Sequence, residues 1–498
     1  MKKILVVLLI VAIVGCSSVF AYTLTGENNR VTAERELADG VKYTQIKAGK
    51  NYNNVQFDLI EVDLSKEGIV FDNVYGSPFI THAWKRTSDM IKEFNGTDGK
   101  KALAAINAEL WTVTYAHSRV LGSETSYGGY NDPVVKKGLA LPRGYNVIDG
   151  EIVSTSHMRQ ETPFEGDFWS FGITEDNIPI LSNPTATVNI TNLTKNTNAK
   201  ADGINRLPAN NALVMYTDKG CANNYALDDA FEVVIDITST PDYVIKHGTD
   251  ITGKVIAIYG PEDKDNPVME ANSNKIILTA RGSRVSKISD YQIGDEINIK
   301  VDVRDKNGRF TEEWRRAKVA TGGHIPFVVN GRFQNVSPGG SYPTAFIGIT
   351  SEGKIIMGTY GSSKHDGGRV GIASYKDLVK DLDLVDAFIF DGGGSATTVV
   401  LDENEYKVAN NPADKGGAER QVLNCLVVSY VEQKPEPTDE VGDNDENGDE
   451  NNGENNGGNT KDEKHDKGID SNTIIIIISS VAIVAGIVTI VLVLRKKN

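Results

Sequence analysis

Ala387-Phe388-Ile389-Phe390-Asp391-Gly392-Gly393-Gly394-Ser395-Ala396-Thr397-Thr398 is an apolar run that stops at a carboxylate, three glycines and a hydroxyl. The run reads as a buried strand ending in a tight loop. Asp391 would then stand at the strand end, where side chains meet solvent. Gly392, Gly393 and Gly394 lack Cβ, so the backbone there can take positive φ and approach a ligand closely. Their N–H groups could converge on an anion, and Ser395 adds a hydroxyl. A sharp turn without chemistry explains three glycines as well. The carboxylate directly before them and the hydroxyl directly after favour a site.

Three other segments have the same form. Ala104-Ala105-Ile106-Asn107-Ala108-Glu109-Leu110-Trp111 ends an apolar run in an amide, a carboxylate and an aromatic ring that can stack on a sugar. Gly322-Gly323-His324 leads into Pro326–Val329 and the turn Asn330-Gly331. His324 could act as acid or base near neutral pH, although a lone loop histidine is more often only exposed. Pro412 to Asn424 precedes the last strand and carries Arg420, whose guanidinium can hold a phosphate oxygen pair or simply pair with a neighbouring carboxylate.

Strand-like runs recur across the chain, among them Val55–Leu64, Ile69–Val74, Leu213–Tyr216, Phe231–Ile237, Pro326–Val329, Phe346–Thr350 and Leu423–Tyr430. Turn pairs such as Asp149-Gly150, Asn307-Gly308 and Glu352-Gly353 separate many of them. Two segments read as helices. Thr87–Phe94 opens on a capping pattern, and Ser374–Leu382 puts Leu378, Val379 and Leu382 on one face. The expectation is an α+β fold: a strand-rich mixed-sheet domain over 40–431 with a few packed helices. Lys254–Val303 is almost all strand pattern and reads as a β-rich insertion at 254–303. Residues 23–40 read as polar and loose.

Both ends are hydrophobic. Met1-Lys2-Lys3 followed by Ile4–Val14 has the form of an export signal over residues 1–22. Val19-Phe20-Ala21 offers a simple cleavage site, while Ile13-Val14-Gly15-Cys16 resembles a lipobox. The anchor at the other end favours simple cleavage. Thr473–Leu494 is long and apolar enough for a transmembrane helix, and Arg495, Lys496 and Lys497 in the tail 495–498 place the C-terminus in the cytoplasm. The style of the signal suggests a bacterial protein with its domain outside the cell.

The formal net charge is −15. Residues 432–472 hold fourteen acidic residues against four lysines, so most of the excess lies in a disordered acidic linker and says little about a ligand. No basic run suggests nucleic acid. Three cysteines occur, and outside the signal Cys221 and Cys425 could pair. Zinc and phosphate-loop motifs are absent, so no cofactor is established.

Taken in order, Ala-Ala-Ile-Asn at 104–107, Leu-Val-Met-Tyr-Thr at 213–217, the Gly322–Gly331 segment, Ile-Gly-Ile-Thr at 347–350, Phe-Asp-Gly-Gly-Gly-Ser-Ala-Thr at 390–397 and Glu-Arg-x-Val-x-Asn at 419–424 resemble the phosphodiester glycosidase family. The resemblance implies a hydrolase that cleaves a sugar-1-phosphodiester, freeing the sugar and leaving a phosphomonoester. It implies a site containing Asn107, Asn330, Asp391, Gly392, Gly393, Gly394, Ser395 and Arg420, with Glu109 beside it. Asp391 and Glu109 are the catalytic candidates, and the others would bind substrate or phosphate. A divalent cation bridging Asp391 and the phosphate is compatible with these residues and not required by them. One departure stands out: Thr344 occupies the place where members commonly carry an arginine. The alternative is therefore a surface module that binds phosphate-containing glycopolymer without cleaving it.

Overall fold

A computed structural model describes residues 29–49, 55–80, 84–114, 139–156, 168–220, 229–237, 239–263, 273–334, 343–361 and 372–432. The apolar run that opens the site is the strand Leu384–Ile389. Its side chains alternate between two cores. Phe388 and the following Phe390 face one, and Ala387 and Ile389 face the other. Burial on both faces explains why the run reads as continuously apolar and not as alternating.

This strand belongs to an eight-stranded sheet. In spatial order its strands are Arg30–Ala38, Val41–Lys47, Gln56–Val62, Ile355–Tyr360, Thr344–Thr350, Leu384–Ile389, Pro326–Val329 and Arg332–Phe333. A five-stranded sheet faces it, in the order Glu405–Val408, Thr398–Asp402, Lys100–Asn107, Asn424–Val431 and Ile69–Tyr75. Ile60, Ile347 and Phe388 from the first sheet meet Leu103, Ile106 and Leu426 from the second. A helix covers each outer face. Ile372–Asp381 lays Leu378 on Phe327, Phe346 and Ile356, joined by Leu382 just beyond its end. Thr87–Phe94 lays Met90 and Ile91 on Ala105, Val399 and Val427.

A second five-stranded sheet runs Glu151–Ser154, Asn146–Ile148, Ala317–Gly322, Ser170–Thr174 and Pro179–Ser182. The β-rich stretch is larger than its expected span of 254–303. A second eight-stranded sheet starts at Pro184 and ends at Asp305, around a core that includes Ile190, Val233, Ile235, Leu278 and Ile299. One of its pairs, Gly203–Ile204 with Leu213–Tyr216, is parallel. The fold is strand-rich with few helices, as expected.

The reading of 23–40 as loose needs correction. Arg30–Ala38 is an edge strand paired with Val41–Lys47. It is polar because one face is open to solvent, while Ala33, Leu37 and Ala38 pack on the core. All described residues fall within one compact unit. No helix among them is long and apolar enough to cross a membrane. The stretch read as an export signal, the acidic stretch beyond Glu432 and the apolar run at Thr473–Leu494 lie outside the described residues.

Candidate active site

Two strands in facing sheets end side by side. The Asp391 N–H donates to the Ala108 carbonyl at 3.0 Å. The Asn107 side-chain N–H donates to the Asp391 carbonyl at 2.8 Å, and Asn107 Oδ1 accepts the Thr397 N–H at 2.9 Å. Asn107 is fully buried. It straps both sides of the Asp391–Ser395 loop to the neighbouring sheet.

Asp391 keeps part of its surface open, while Gly394 and Ser395 are buried. Burial raises the Asp391 carboxyl to about 6. The Ser395 hydroxyl, Arg420, the Gly392 N–H and Arg143 each pull it back toward the ionised form. The Ser395 hydroxyl sits beside the carboxylate without completing a well-formed hydrogen bond.

Two of the three glycine N–H groups are already engaged within the loop. The Gly393 N–H donates to the Pro343 carbonyl at 2.8 Å, and the Gly392 N–H turns toward the Asp391 carboxylate. Close packing and backbone shape account for the glycines instead. Gly393 has φ of 64°. A Cβ on Gly392 would stand 2.9 Å from the Pro343 carbonyl oxygen, and one on Gly394 would stand 2.1 Å from Asp414 Oδ1.

Arg420 lies against this loop, gripped by Asp414 at 2.7 and 3.1 Å. Its neighbour Glu419 caps the helix Thr87–Phe94 from afar. The Glu419 carboxylate accepts the Ser88 N–H at 2.8 Å and the Ser88 hydroxyl at 2.5 Å. That contact ties the strand leading to Asn424 to the helix and presents Arg420 to the loop. Thr344 lies near the loop: a Cβ on Gly392 would stand 3.8 Å from its Oγ1.

Glu109 is placed differently from an acid at a strand end. It is 1 % exposed. One carboxylate oxygen accepts the Gly144 N–H, and the other accepts Asn146 Nδ2 at 2.7 Å. Burial still raises its carboxyl to about 7, against the pull of Gly144, Asn146, Arg206 and Gly322. An amide network extends from it. Asn424 Oδ1 accepts the Glu109 N–H at 3.0 Å, Asn424 Nδ2 donates to Asn73 Oδ1 and Thr321 Oγ1 at 2.8 and 2.9 Å, and Asn73 Nδ2 reaches Asn146 Oδ1 at 3.1 Å. Gly144 and Gly322 approach so closely that a Cβ on Gly144 would stand 2.3 Å from Gly322 Cα. Glu109 therefore locks two backbone segments together.

Asn330 is not brought to Asp391. It sits in a hairpin turn with φ of 52°, followed by Gly331 at 68°. Its N–H donates to Asp386 Oδ1 at 3.0 Å. Asp386 lies five residues before Asp391 on the same strand, which puts the turn roughly 16 Å away along it. The turn chemistry of Asn-Gly explains this pair fully. Asp386 also takes both guanidinium branches of Arg309, at 2.7 and 2.6 Å.

Two residues reach the site unannounced or underweighted by sequence. The Arg143 N–H donates to the Leu110 carbonyl at 3.1 Å, and the His324 N–H donates to the Ile389 carbonyl at 2.8 Å. Burial, with the charge of Arg143, lowers the His324 ring to about 4 and keeps it neutral. Cys425 is a buried free thiol, and Cys221 lies outside the described residues. Among the described residues no group of three or more His, Cys, Asp or Glu gathers to hold a metal. Asp391 itself lies within the field of two guanidiniums, an environment that disfavours a divalent cation.

Residues 252–429 match the phosphodiester glycosidase family. The resemblance read from the motifs holds over that span, which contains Asp391, Ser395, His324 and Arg420. Asn107, Glu109 and Arg143 precede it. No curated protein matches the chain. Among solved structures, a hypothetical protein from Synechocystis shares the fold with TM-score 0.57 at 14 % identity, over 80 % of this chain and 64 % of that one. The chain thus spans less than two thirds of that relative. A putative exported protein from Burkholderia pseudomallei is similar with TM-score 0.53 at 14 % identity, over 75 % and 74 % of the two chains. The zebrafish N-acetylglucosamine-1-phosphodiester alpha-N-acetylglucosaminidase catalytic domain, at TM-score 0.34 and 11 % identity over 81 % of this chain and 88 % of that one, superposes too loosely to add to this.

Proposed function

We propose that this chain is a cell-surface hydrolase that cleaves a sugar-1-phosphodiester in a glycan or glycopolymer, releasing the sugar and a phosphomonoester. The observation that carries the reading is Asp391: a partly exposed residue just past a strand end, its carboxyl raised to about 6, on a loop strapped by Asn107 and within the field of Arg420 and Arg143. Ionised above that pH, it takes a proton from water as the water attacks the sugar C1, or faces the positive charge that develops there. The departing phosphomonoester is stable as an anion, so the reaction does not depend on a strong general acid. Glu109, enclosed by donors, acts as a positioning residue that holds the Gly144 and Gly322 segments in place.

An export signal at 1–22, an acidic spacer at 432–472 and a span at 473–494 would hold the domain outside the membrane. The second reading, a non-catalytic binding module, draws on Thr344, which leaves the position expected to carry an arginine uncharged. The test is release of free sugar and phosphomonoester from sugar-1-phosphodiesters by the full-length protein and by Asp391→Asn. The hydrolase reading expects the variant to lose roughly 10²- to 10⁴-fold in kcat. Native turnover by a folded Asp391→Asn protein removes Asp391 from the chemistry. Binding without release by the native protein favours the module.

A further inference from the structure

Arg420 is gripped by Asp414 and position 344 is a threonine, so the charge of a bound diester needs another partner. A closed circuit of backbone hydrogen bonds supplies one. Asp391 hangs on Ala108 and Arg143 hangs on Leu110, two residues along the same segment. His324 hangs on Ile389, two residues before Asp391, and Gly323 hangs on Trp169 at 2.8 Å. Phe168, next to Trp169, stacks on the His324 ring with centroids 6.1 Å apart and 19° between planes. The Arg143 guanidinium lies over the same Phe168 ring, 5.6 Å from its centroid. Arg143, Phe168, His324 and Asp391 therefore share one small region, and the charge of Arg143 is felt by both Asp391 and His324.

Resting on the hydrolase reading, we propose that Arg143 binds the anionic phosphodiester and supplies the positive charge that Thr344 does not. A guanidinium matches two phosphate oxygens in its plane, and an aromatic ring under it fixes its orientation. At 7 % exposure its charge is weakly screened, so an anion gains more from it than from a surface lysine. The neutral His324 ring adds no competing charge. Glu109 holds Gly144 directly after Arg143, which keeps the guanidinium in register with Asp391.

The test uses full-length native protein, Arg143→Gln and Arg143→Lys. Each is titrated with inorganic phosphate while the His324 ring is followed by NMR of carbon-labelled histidine, and each is assayed on a sugar-1-phosphodiester. Phosphate should shift the native His324 signal. Arg143→Gln should lose that response and raise KM by roughly 10- to 100-fold with a smaller change in kcat, because the diester is charged in ground and transition states alike. Arg143→Lys should recover part of both. Without phosphate, Arg143→Gln should raise the His324 pKa above about 4 yet leave it below the ordinary 6.5, because burial still lowers it; a ring at 6.5 would report an unfolded variant. Native KM and native phosphate response in Arg143→Gln would overturn the proposal and leave the hydrolase standing. Arg143-dependent phosphate binding with no turnover of any diester would support the anion site and remove the hydrolase.

Discussion

Asn107 holds Asp391 by its carbonyl and not by its carboxylate. The 2.8 Å bond from Asn107 Nδ2 reaches the Asp391 main chain, while Oδ1 takes the Thr397 N–H on the far side of the glycine loop. An amide is suited to this, since it presents a donor and an acceptor at once. The carboxylate of Asp391 is left facing the site.

Asn107→Ala should therefore weaken both fold and chemistry. It leaves a buried carbonyl and a buried N–H without partners, at a cost of about 2–4 kcal/mol. The loop then drifts, and kcat should fall by about tenfold or more with KM less affected. Urea unfolding and steady-state kinetics check this. Unchanged stability would show that the loop does not depend on the strap.

Activity should rise with pH through about 6, as Asp391 loses its proton. The sign follows from its role: a base or charge stabiliser works only when ionised. In Asp391→Asn that limb should vanish from the profile of kcat/KM for whatever turnover remains. A limb that persists near 6 in the variant would belong to another group.

The sheets around the site were legible in the chain to very different degrees. Leu213–Tyr216 and Pro326–Val329 match their expected bounds: the first is apolar and buried throughout, and the Asn330-Gly331 turn ends the second. The helix Thr87–Phe94 was legible too, although its distant cap by Glu419 was not. Arg30–Ala38 escaped notice because an edge strand with one wet face carries little apolar signal. At the site, Asp391 and Asn107 stood out as polar residues ending apolar runs. Asn330 did not belong with them, since an Asn-Gly turn looks the same at either end of a strand. Arg143 carried no local signal at all. Its place depends on Gly144 meeting Gly322, a contact between residues far apart in sequence.

Glu109 should make stability fall as pH rises. Its carboxyl is at about 7 in the fold and near the ordinary 4.5 when unfolded. Between those values the folded state keeps a proton that the unfolded state has lost. The favourable contribution is complete below about 4.5 and gone above about 7, a change of about 3 kcal/mol. Glu109→Gln should flatten this part of the stability profile. The same variant should lose stability at low pH, since its amide nitrogen must face either Gly144 N–H or Asn146 Nδ2. Urea midpoints at pH 5, 6, 7 and 8 for both proteins supply the comparison. Parallel profiles would place the titrating group elsewhere.

Gly392 and Gly394 should respond to alanine to different degrees. A Cβ on Gly394 would meet Asp414 Oδ1 at 2.1 Å and Arg420 Nη2 at 2.4 Å, both at the ends of flexible side chains. The pair can swing aside, so Gly394→Ala should cost only about 1 kcal/mol. Arg420 then recedes from Asp391 and withdraws part of the field that lowers its pKa. The acid limb should move above 6, and Arg420→Gln should move it the same way. At Gly392 the Cβ would meet the Pro343 carbonyl oxygen at 2.9 Å, and the backbone there is fixed because that oxygen also accepts the Gly393 N–H. Gly392→Ala should therefore be the more destabilising of the two. The opposite order would show that the Asp414–Arg420 pair cannot swing aside, and a limb that stays at 6 in both Gly394→Ala and Arg420→Gln would show that Arg420 does not tune Asp391.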